Sequence, residues 1–487
     1  MLHIPLLRAG EPYRSLATYR LTDLRNGEPV AEVSQANAGL IARDLSQSRS
    51  SQARLAELSV EELLALCSRA ADHLGESDLP LGETVQSPQR YLEQVSVTTG
   101  LPQVMARANL DKVRFVLGEM RTVLGGLTRG LDPEILDRGW GVQDGRTISY
   151  RRETDVLGAV LPSNSPGVHA LWLPALALKV TLALKPGRAE PWTPYRIAQA
   201  FIAAGCPREA FGFYPTDHAG AGELLQRCGR SLLYGDEATV APWRPDPRVQ
   251  IHGPGWSKVV LGDDTASEWR DHLDLIAESV AANGGRSCVN ASGVWTSANG
   301  RALAPGLAET LAAIAARGLE DPKARLAALP SVEAARRLSD LIDQHLQTSG
   351  AEDLTAGLRP SRVAEADGCG FVLPTVIYCT DPEHPLARAE FLFPFVAVVE
   401  RPRHRLVSEL GSSLVVTALT EDESLIGELL TAPHVERLNI GPLPTNRVAW
   451  DQPHEGNLFE LLYQQRSLQA VGKPSDSAAQ PAAVAAS

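Results

Sequence analysis

Val156-Leu157-Gly158-Ala159-Val160-Leu161, then Pro162-Ser163-Asn164-Ser165-Pro166-Gly167 and, further on, Val180-Thr181-Leu182-Ala183-Leu184-Lys185-Pro186 decide the fold class. The outer runs are short and almost wholly apolar, while the middle run breaks the chain with two prolines and a glycine. Near-continuous apolar strands belong in a parallel sheet covered on both faces. His169 to Leu178 reads as helix, with Pro174 implying a kink or a broken turn. Thr193-Pro194 then supplies a cap and first-turn proline for a helix that ends at Gly205. Phe211 to Tyr214 and Ser231 to Tyr234 read as two more strands, separated by a helix near 222–228. This is an α/β pattern of strand–helix–strand units. Ligands of such sheets bind beyond the carboxyl ends of the strands. That rule singles out Asn164, Lys185 and the Gly235-Asp236 loop. Lys185 can meet a ribose or phosphate oxygen there, or it can be a solvated surface lysine. No GxGxxG follows a strand; Gly220-Ala221-Gly222 and Gly253-Pro254-Gly255 are only fragments of that pattern.

Downstream, Asn283-Gly284-Gly285-Arg286-Ser287-Cys288-Val289-Asn290-Ala291 places a cysteine just past a helical pattern. Thr265 and Glu268 have the spacing of a capping box, and Trp269, Leu273, Ile276 and Val280 recur on one face. Asn283, Gly284 and Gly285 stop that helix, because such residues tolerate a turn through positive φ. Cys288 is thereby delivered on a sharp turn. A thiol so placed can face a cleft, with backbone N–H groups beside it aimed at a developing oxyanion. The plainer reading is a small core hydrophobe.

The 487-residue chain is long enough for two or three cores, and 44% hydrophobic residues fit a folded α/β composition. A formal net charge of -12 argues against nucleic acid as the main partner. No apolar run is long enough to span a membrane, and the N-terminus lacks a signal-peptide core. The six cysteines are widely spaced with no CxxC pair, which predicts reduced thiols in a cytoplasmic protein and no structural zinc. Cys369, Cys379 and His384 lie close in sequence but lack ligand spacing for a metal.

No firm elements stand out in residues 1–56. Ser59-Val60-Glu61-Glu62 opens a helix with a capping box. A loop is expected around 75–88 and mainly helix over 89–135. Trp140 to Gln143, Asp144-Gly145 and Arg146 to Arg152 read as a β-hairpin with a type I′ turn, either an oligomerisation arm or an ordinary edge hairpin. Residues 301–350 are mainly helical, with Leu338, Leu341, Ile342, His345 and Leu346 on an apolar side. Strands return around 370–377 and 391–400, strand and helix over 412–419 and 421–430, and a late strand over 435–440. A long loop over 441–457 carries Trp450, Pro453 and His454, and residues 472–487 have a disordered composition.

Pro162-Ser163-Asn164-Ser165-Pro166, Pro174-Ala175-Leu176-Ala177 with Leu184-Lys185-Pro186, Gly284-Gly285-Arg286-Ser287-Cys288, Pro374-Thr375-Val376 and Glu390 to Val396 together resemble the aldehyde dehydrogenase superfamily. The resemblance runs in order over roughly 155–396. It implies an α/β, aldehyde dehydrogenase-like fold: a Rossmann-like cofactor domain, an α/β catalytic domain and a small oligomerisation hairpin. The expected division is 1–263 for NAD(P) binding, including the hairpin 140–152, 264–440 for the cysteine domain, 441–471 as a return segment and 472–487 as tail. It further implies NAD or NADP as cofactor, a homodimer or homotetramer, Cys288 as nucleophile and Asn164 as oxyanion donor. Lys185 and Glu390 would hold ribose hydroxyls, with Pro162, Gly235 and Asp236 beside the cofactor. Trp450 lies where family members form part of the substrate entrance.

The departures matter as much. Hydrolytic members carry a glutamate in a Glu-Leu-Gly-Gly motif before the cysteine, yet Val249 to Lys258 holds no carboxylate. Without a base, water attacks an acyl-cysteine poorly, whereas a coenzyme A thiol brings its own nucleophile. That pattern resembles the coenzyme A-acylating branch, and His252-Gly253-Pro254-Gly255, with Tyr91-Leu92-Glu93 and Thr99-Gly100, is similar to fatty acyl-CoA reductases. The expectation is therefore an acyl-CoA reductase interconverting acyl-CoA and aldehyde. The alternatives are oxidation to the free acid, with His252 or a distant carboxylate as base, and a non-catalytic scaffold. His252 otherwise serves its own loop. Asp236 stands where the family has serine near the pyrophosphate, and Phe393 replaces a glycine.

Overall fold

The structure is a computed structural model that describes residues 1–469. Val156–Val160, buried throughout, pairs in parallel with Thr181–Lys185 on one side and Arg230–Tyr234 on the other. Phe211–Phe213 extends the first side and Val249–His252 the second, both parallel. Two antiparallel strands, Leu6–Arg8 and Glu11–Tyr13, complete this seven-stranded sheet. The chain runs outward from Val156–Val160 in one direction, then returns and runs outward in the other. The reversal leaves a crevice between the loops leaving Val160 and Tyr234, the position at which such sheets hold ligands.

A second seven-stranded sheet has the order Ala351–Asp353, Thr375–Cys379, Phe395–Glu400, Ala291–Thr296, Ser257–Leu261, Ser413–Leu419, Val435–Ile440. All pairs are parallel except the first. Its strands are again β-branched and buried, as double-sided cover requires. Ser257–Leu261 belongs to this sheet, so the division at residue 263 falls inside the second sheet's territory; the crossover is Gly253 to Trp256. The 140–152 hairpin forms with Asp144 and Gly145 at φ 49° and 74°, as a type I′ turn requires. Tyr463–Arg466 joins it as a third antiparallel strand.

Several local expectations need correction. Residues 1–56 contain five strands and two helices, and 79–86 is a small hairpin rather than loop. Thr265 does not cap: its hydroxyl bonds the Leu419 carbonyl, and a kinked 3-10 segment precedes the helix Leu273–Ala281. Thr193 does not cap its helix either. Glu190, held by His169, accepts from the Thr193 N–H at 2.8 Å instead. His169 to Leu178 is a 3-10 turn followed by one short helix that starts at Pro174. Leu341 is exposed although it reads as part of an apolar stripe, and Phe391 to Pro394 leads into a strand without joining it. The 472–487 tail lies outside the described residues. Among the described residues no helix is long and apolar enough to cross a membrane.

Arg196 clamps the first half. It is buried on the helix Trp192–Ala203 and donates to the carbonyls of Leu74, Ser77 and Gln86 at 3.0, 2.8 and 2.7 Å. It thereby joins the end of the helix Val60–Glu76 to the hairpin that comes next in the chain. Replacing it by methionine takes a donor from each of three carbonyls, and a buried acceptor left unsatisfied costs about 1–3 kcal/mol. Arg196→Met is therefore expected to lower the apparent melting temperature clearly, with Arg196→Lys restoring part of the loss. A thermal shift equal to wild type would show the clamp to be dispensable.

Candidate active site

The two sheets face one cavity from opposite ends. The first contributes loops beyond its strands' carboxyl ends, Pro162 to Asn164 and Gly235-Asp236. The second contributes segments that precede its strands: Gly253-Pro254, Cys288 and Glu390 to Leu392. These segments line a cavity of about 530 Å³ together with Tyr234, His252 and Arg286. Cys288, Asn164, His252, Glu390, Pro162, Gly235 and Asp236 are thus brought together. Lys185 is not among the lining residues; it ends its strand one crossover away. Burial and the adjacent Arg188 charge push its pKa down, with no carboxylate opposing them.

Three consecutive residues in the left-handed region, Asn283, Gly284 and Gly285 at φ 52°, 67° and 71°, turn the chain out of its helix. A Cβ on Gly285 would meet the carbonyl carbon of Phe393 at 2.4 Å, so only glycine fits. Arg286 then anchors the loop, donating to the Thr99 carbonyl at 2.6 Å and to that of Ala328. Asn290 receives the Ser287 N–H and donates to Ser279 and Ala282 carbonyls. Ser257 donates to the Cys288 carbonyl at 2.8 Å. Every polar tether around Cys288 is thus made by a neighbour, and the thiol is left to the cavity, partly exposed.

The thiol has an unanticipated partner. Cys288 Sγ donates to Glu455 Oε1 at 3.2 Å, and His252 Nδ1 lies 3.2 Å from Glu455 Oε2. The carbonyl of Glu455 accepts from Gln250 Nε2 at 2.6 Å, which fixes that amide's orientation; the same NH2 faces His252 Nε2 at 3.2 Å. His252 Nε2 is therefore an acceptor and Nδ1 carries a proton toward Glu455. His454 obeys the same logic. Arg437 donates to its Nδ1 at 2.6 Å, leaving Nε2–H 3.4 Å from Glu455 Oε1. Burial drives His454 down to about 3, so it is neutral. Burial alone would raise the Glu455 carboxyl, but the His252 bond, both histidines and the Cys288 bond bring it down to about 2. The thiol goes the other way: burial, then the Glu455 and Glu390 charges, hold it well above its ordinary value. The resting pair is a thiol hydrogen-bonded to a carboxylate.

His252 thus does not merely serve its own loop; it stacks on Tyr234 with 4.3 Å between ring centroids and holds Glu455. Asn164 spends one amide N–H on the Arg286 carbonyl at 2.7 Å, and its second N–H remains. Glu390 accepts from the N–H groups of Gly255 and Trp256 at 3.0 and 2.6 Å, while burial raises it to about 7. Asp236 turns to cap its own short helix by accepting from the Thr239 N–H. The residues missed from sequence are Glu455 and Arg437, and His454 was named there only as part of the 441–457 loop. The available signal was His454-Glu455-Gly456, an acid between a metal- or proton-binding residue type and a glycine. Glu455 sits at φ 54° and Gly456 at φ 89°.

Comparison with known proteins agrees with this architecture. Residues 13–404 match the sequence profile of the Aldehyde dehydrogenase family, and the chain belongs to that family. It is 28% identical over 270 residues to the aminoacetaldehyde dehydrogenase of Pseudomonas aeruginosa, a match spanning about half (51%) of each protein. It is 25% identical over 439 residues, 84% of each chain, to the 2-hydroxymuconic semialdehyde dehydrogenase of Pseudomonas sp. strain CF600. Among solved structures, the aldehyde dehydrogenase KauB of Pseudomonas aeruginosa superimposes with a TM-score of 0.78 over 96% of both chains at 17% identity. An indole-3-acetaldehyde dehydrogenase complexed with NAD+ gives 0.75 at 16% identity over 96% of both chains. The fold is the aldehyde dehydrogenase fold.

The charge arrangement around Cys288 makes a prediction of definite sign. A negative group beside a thiol disfavours the thiolate, so removing it lowers the thiol pKa. The pH profile of Cys288 alkylation by iodoacetamide is expected to move to lower pH in Glu455→Gln. A profile that stays put or moves upward would show that Glu455 does not oppose thiolate formation.

Proposed function

We propose that the protein oxidises a small aldehyde with NAD or NADP and releases the free acid, using Cys288 as nucleophile and Glu455 as the proton acceptor. The observation that carries this reading is the 3.2 Å contact from Cys288 Sγ to Glu455 Oε1. A carboxylate on the 441–457 loop takes the place left empty on the Val249 to Lys258 segment, so the ground for requiring coenzyme A falls away. Glu455 takes the thiol proton as sulfur attacks the aldehyde carbon. The second Asn164 N–H and the Cys288 backbone N–H, which donates to nothing among the described residues, face the oxygen as it gains charge. A bound nicotinamide supplies the hydride acceptor that leaves an acyl group on Cys288. Glu455 releases that first proton to solvent and, again a carboxylate, takes one from the water that attacks this thioester; sulfur leaves as thiolate and recovers a proton from Glu455.

The crevice at the strand reversal fits such a cofactor. A Cβ on Gly187 would meet the Pro162 carbonyl at 2.4 Å, so the loops approach closely there. Lys185 offers an uncompensated positive charge for a ribose or phosphate oxygen, Glu390 retains free lone pairs, and Asp236 is turned away.

One observation favours the second reading, coenzyme A-dependent acylation. A carboxyl held down to about 2 is a weak base. Against it, the acyl-cysteine no longer donates a hydrogen bond to Glu455. Losing that donor raises the carboxyl pKa at the stage when water must be activated.

Oxidation of a panel of small aldehydes with NAD and with NADP, each with and without coenzyme A, separates these readings. Free acid formed without coenzyme A is expected, and Glu455→Gln should slow it about 100- to 10,000-fold, the usual scale for a lost general base. Thioester formed only with coenzyme A, with no free acid, would establish the second reading in its place. Turnover surviving Cys288→Ser would remove the nucleophile assignment altogether.

A further inference from the structure

We propose that Lys258 is a positioning residue for Glu390: its ammonium fixes Trp256 in a left-handed backbone, and the Trp256 N–H so aimed fixes the Glu390 carboxylate. This rests on the reading above, in which Glu390 holds the bound cofactor. Lys258 is the second residue of the strand Ser257–Leu261 and is buried. Its Nζ donates to the Trp256 carbonyl at 2.6 Å, the Ser412 carbonyl at 3.0 Å and Ser413 Oγ at 2.8 Å. An ammonium has three N–H donors, and all three are spent on neutral oxygens. Among the described residues no carboxylate lies within ion-pair distance of it.

Trp256 is what this clamp holds. Its φ is 44°, in the region that residues with a side chain rarely enter, and such a conformation persists only where its surroundings impose it. Rotation about φ turns a residue's N–H relative to its own carbonyl, so holding the carbonyl of a left-handed residue aims its N–H. The Trp256 carbonyl goes to Lys258, and its N–H goes to Glu390 Oε2 at 2.6 Å. The Gly255 N–H stands beside it, 3.0 Å from the same oxygen and 3.1 Å from Oε1. Gly255 is fixed by other means. A Cβ there would meet the Cys288 carbonyl oxygen at 1.9 Å, and its own carbonyl accepts from the Leu414 N–H at 2.8 Å. Ser257 is committed to the Cys288 carbonyl. Of these three residues, Trp256 is the one that takes its anchor from Lys258.

The competing role is a plain staple between Trp256 and the Ser412-Ser413 segment. An ammonium is a costly choice for that, because a charge buried on neutral acceptors is unfavourable. What the charge adds is an influence on Glu390. Burial and the Arg388 charge pull Lys258 down to about 7, and Glu390 opposes them. Burial in turn raises Glu390, and the two N–H bonds and the Lys258 charge oppose that. Glu455 and a Cys288 thiolate are the negative groups facing Glu390, and both work against its carboxylate. Lys258 thus supplies both the aim of a donor and a charge that favours the ionised form, in which both oxygens accept.

The test titrates NADH and NADPH, each followed by its own fluorescence, into wild type, Lys258→Met, Glu390→Gln and the double variant. Lys258→Met and Glu390→Gln are each expected to weaken binding about 10-fold, the scale of a lost hydrogen bond to a charged group. The double variant is expected to bind no more weakly than Glu390→Gln, because Lys258 acts through that carboxylate. Glycine adopts a left-handed φ freely, so Trp256→Gly is expected to restore most of the binding that Lys258→Met loses. Losses that multiply in the double variant are the mark of a mere staple and overturn the proposal. Wild-type binding in Lys258→Met overturns it too, as does a glycine that restores nothing. Lys258→Gln, a gentler change, runs the same cycle with Glu390→Gln if Lys258→Met does not fold. None of these titrations needs turnover. A cycle of the expected form with no aldehyde oxidised sustains the positioning role, and the oxidising reading alone fails. No binding of either nucleotide to wild type overturns the proposal.

Discussion

A buried carboxylate charge has to be compensated, and the compensation of Glu455 organises the site. Its oxygens face three donors, from Cys288, His252 and His454. Each histidine is in turn set by a group behind it: Gln250 orients His252, and Arg437 orients His454. Hydrogen bonds to a charged group contribute about 1.5–3 kcal/mol each. A non-glycine residue in the left-handed region costs about 1–2 kcal/mol. The left-handed backbone of Glu455 is therefore outweighed by the bonds its position permits. Glycine suits 456 because its φ of 89° strains any other residue, and a Cβ there would meet Gln250 Nε2 at 2.4 Å, pushing on the amide that sets the His252 proton.

The same constraint explains why the site draws on distant parts of the chain. Neither sheet alone holds the chemistry. The first sheet brings Asn164 on a loop beyond its strands, the second brings Cys288 on a loop before its strands, and the return segment brings Glu455. The ring of Asn109, Ser165 and Asn283 locks the first two loops to each other. Gln250 locks the third to the edge strand of the first sheet through the Glu455 carbonyl. In the proposed reaction, groups held by such polar tethers need little reorganisation as charge moves from sulfur to oxygen.

Much of this was legible in the sequence, for a physical reason. Parallel strands buried on both faces write themselves as apolar runs, so Val156 to Leu161 and Val180 to Leu184 were readable. The turn before Cys288 was readable because Asn283, Gly284 and Gly285 are the residues that tolerate positive φ. The capping box at Ser59 formed because both its bonds are local. Caps that depended on tertiary context failed: Thr265 found the Leu419 carbonyl, and Thr193 was served by Glu190. The edge strands among residues 1–56 were missed because their pairing partners supply the order their short segments lack. Glu455 was missed for the most general reason. Its partner is separated from it by 167 positions, and no local pattern records a contact of that kind.

The absence of a carboxylate near residue 250 therefore says less about chemistry than it first suggests. What a thioester requires is a base within reach of its carbonyl carbon, and the fold can supply that base from any loop that reaches the cavity. Val249 to Lys258 instead supplies the surroundings of two carboxyls: Gln250 and His252 hold Glu455, and Gly255 and Trp256 hold Glu390. One of them bonds the Cys288 thiol and the other lines the same cavity as Cys288, and their tendencies are opposite. Glu455, surrounded by donors, stays charged down to about 2; Glu390, with burial dominating, titrates near 7. Environments that push two like groups apart in this way separate a permanent acceptor from a group that can change protonation at neutral pH. The division of labour lies in the burial and the donors around each carboxyl, not in the residue type, which is glutamate in both places.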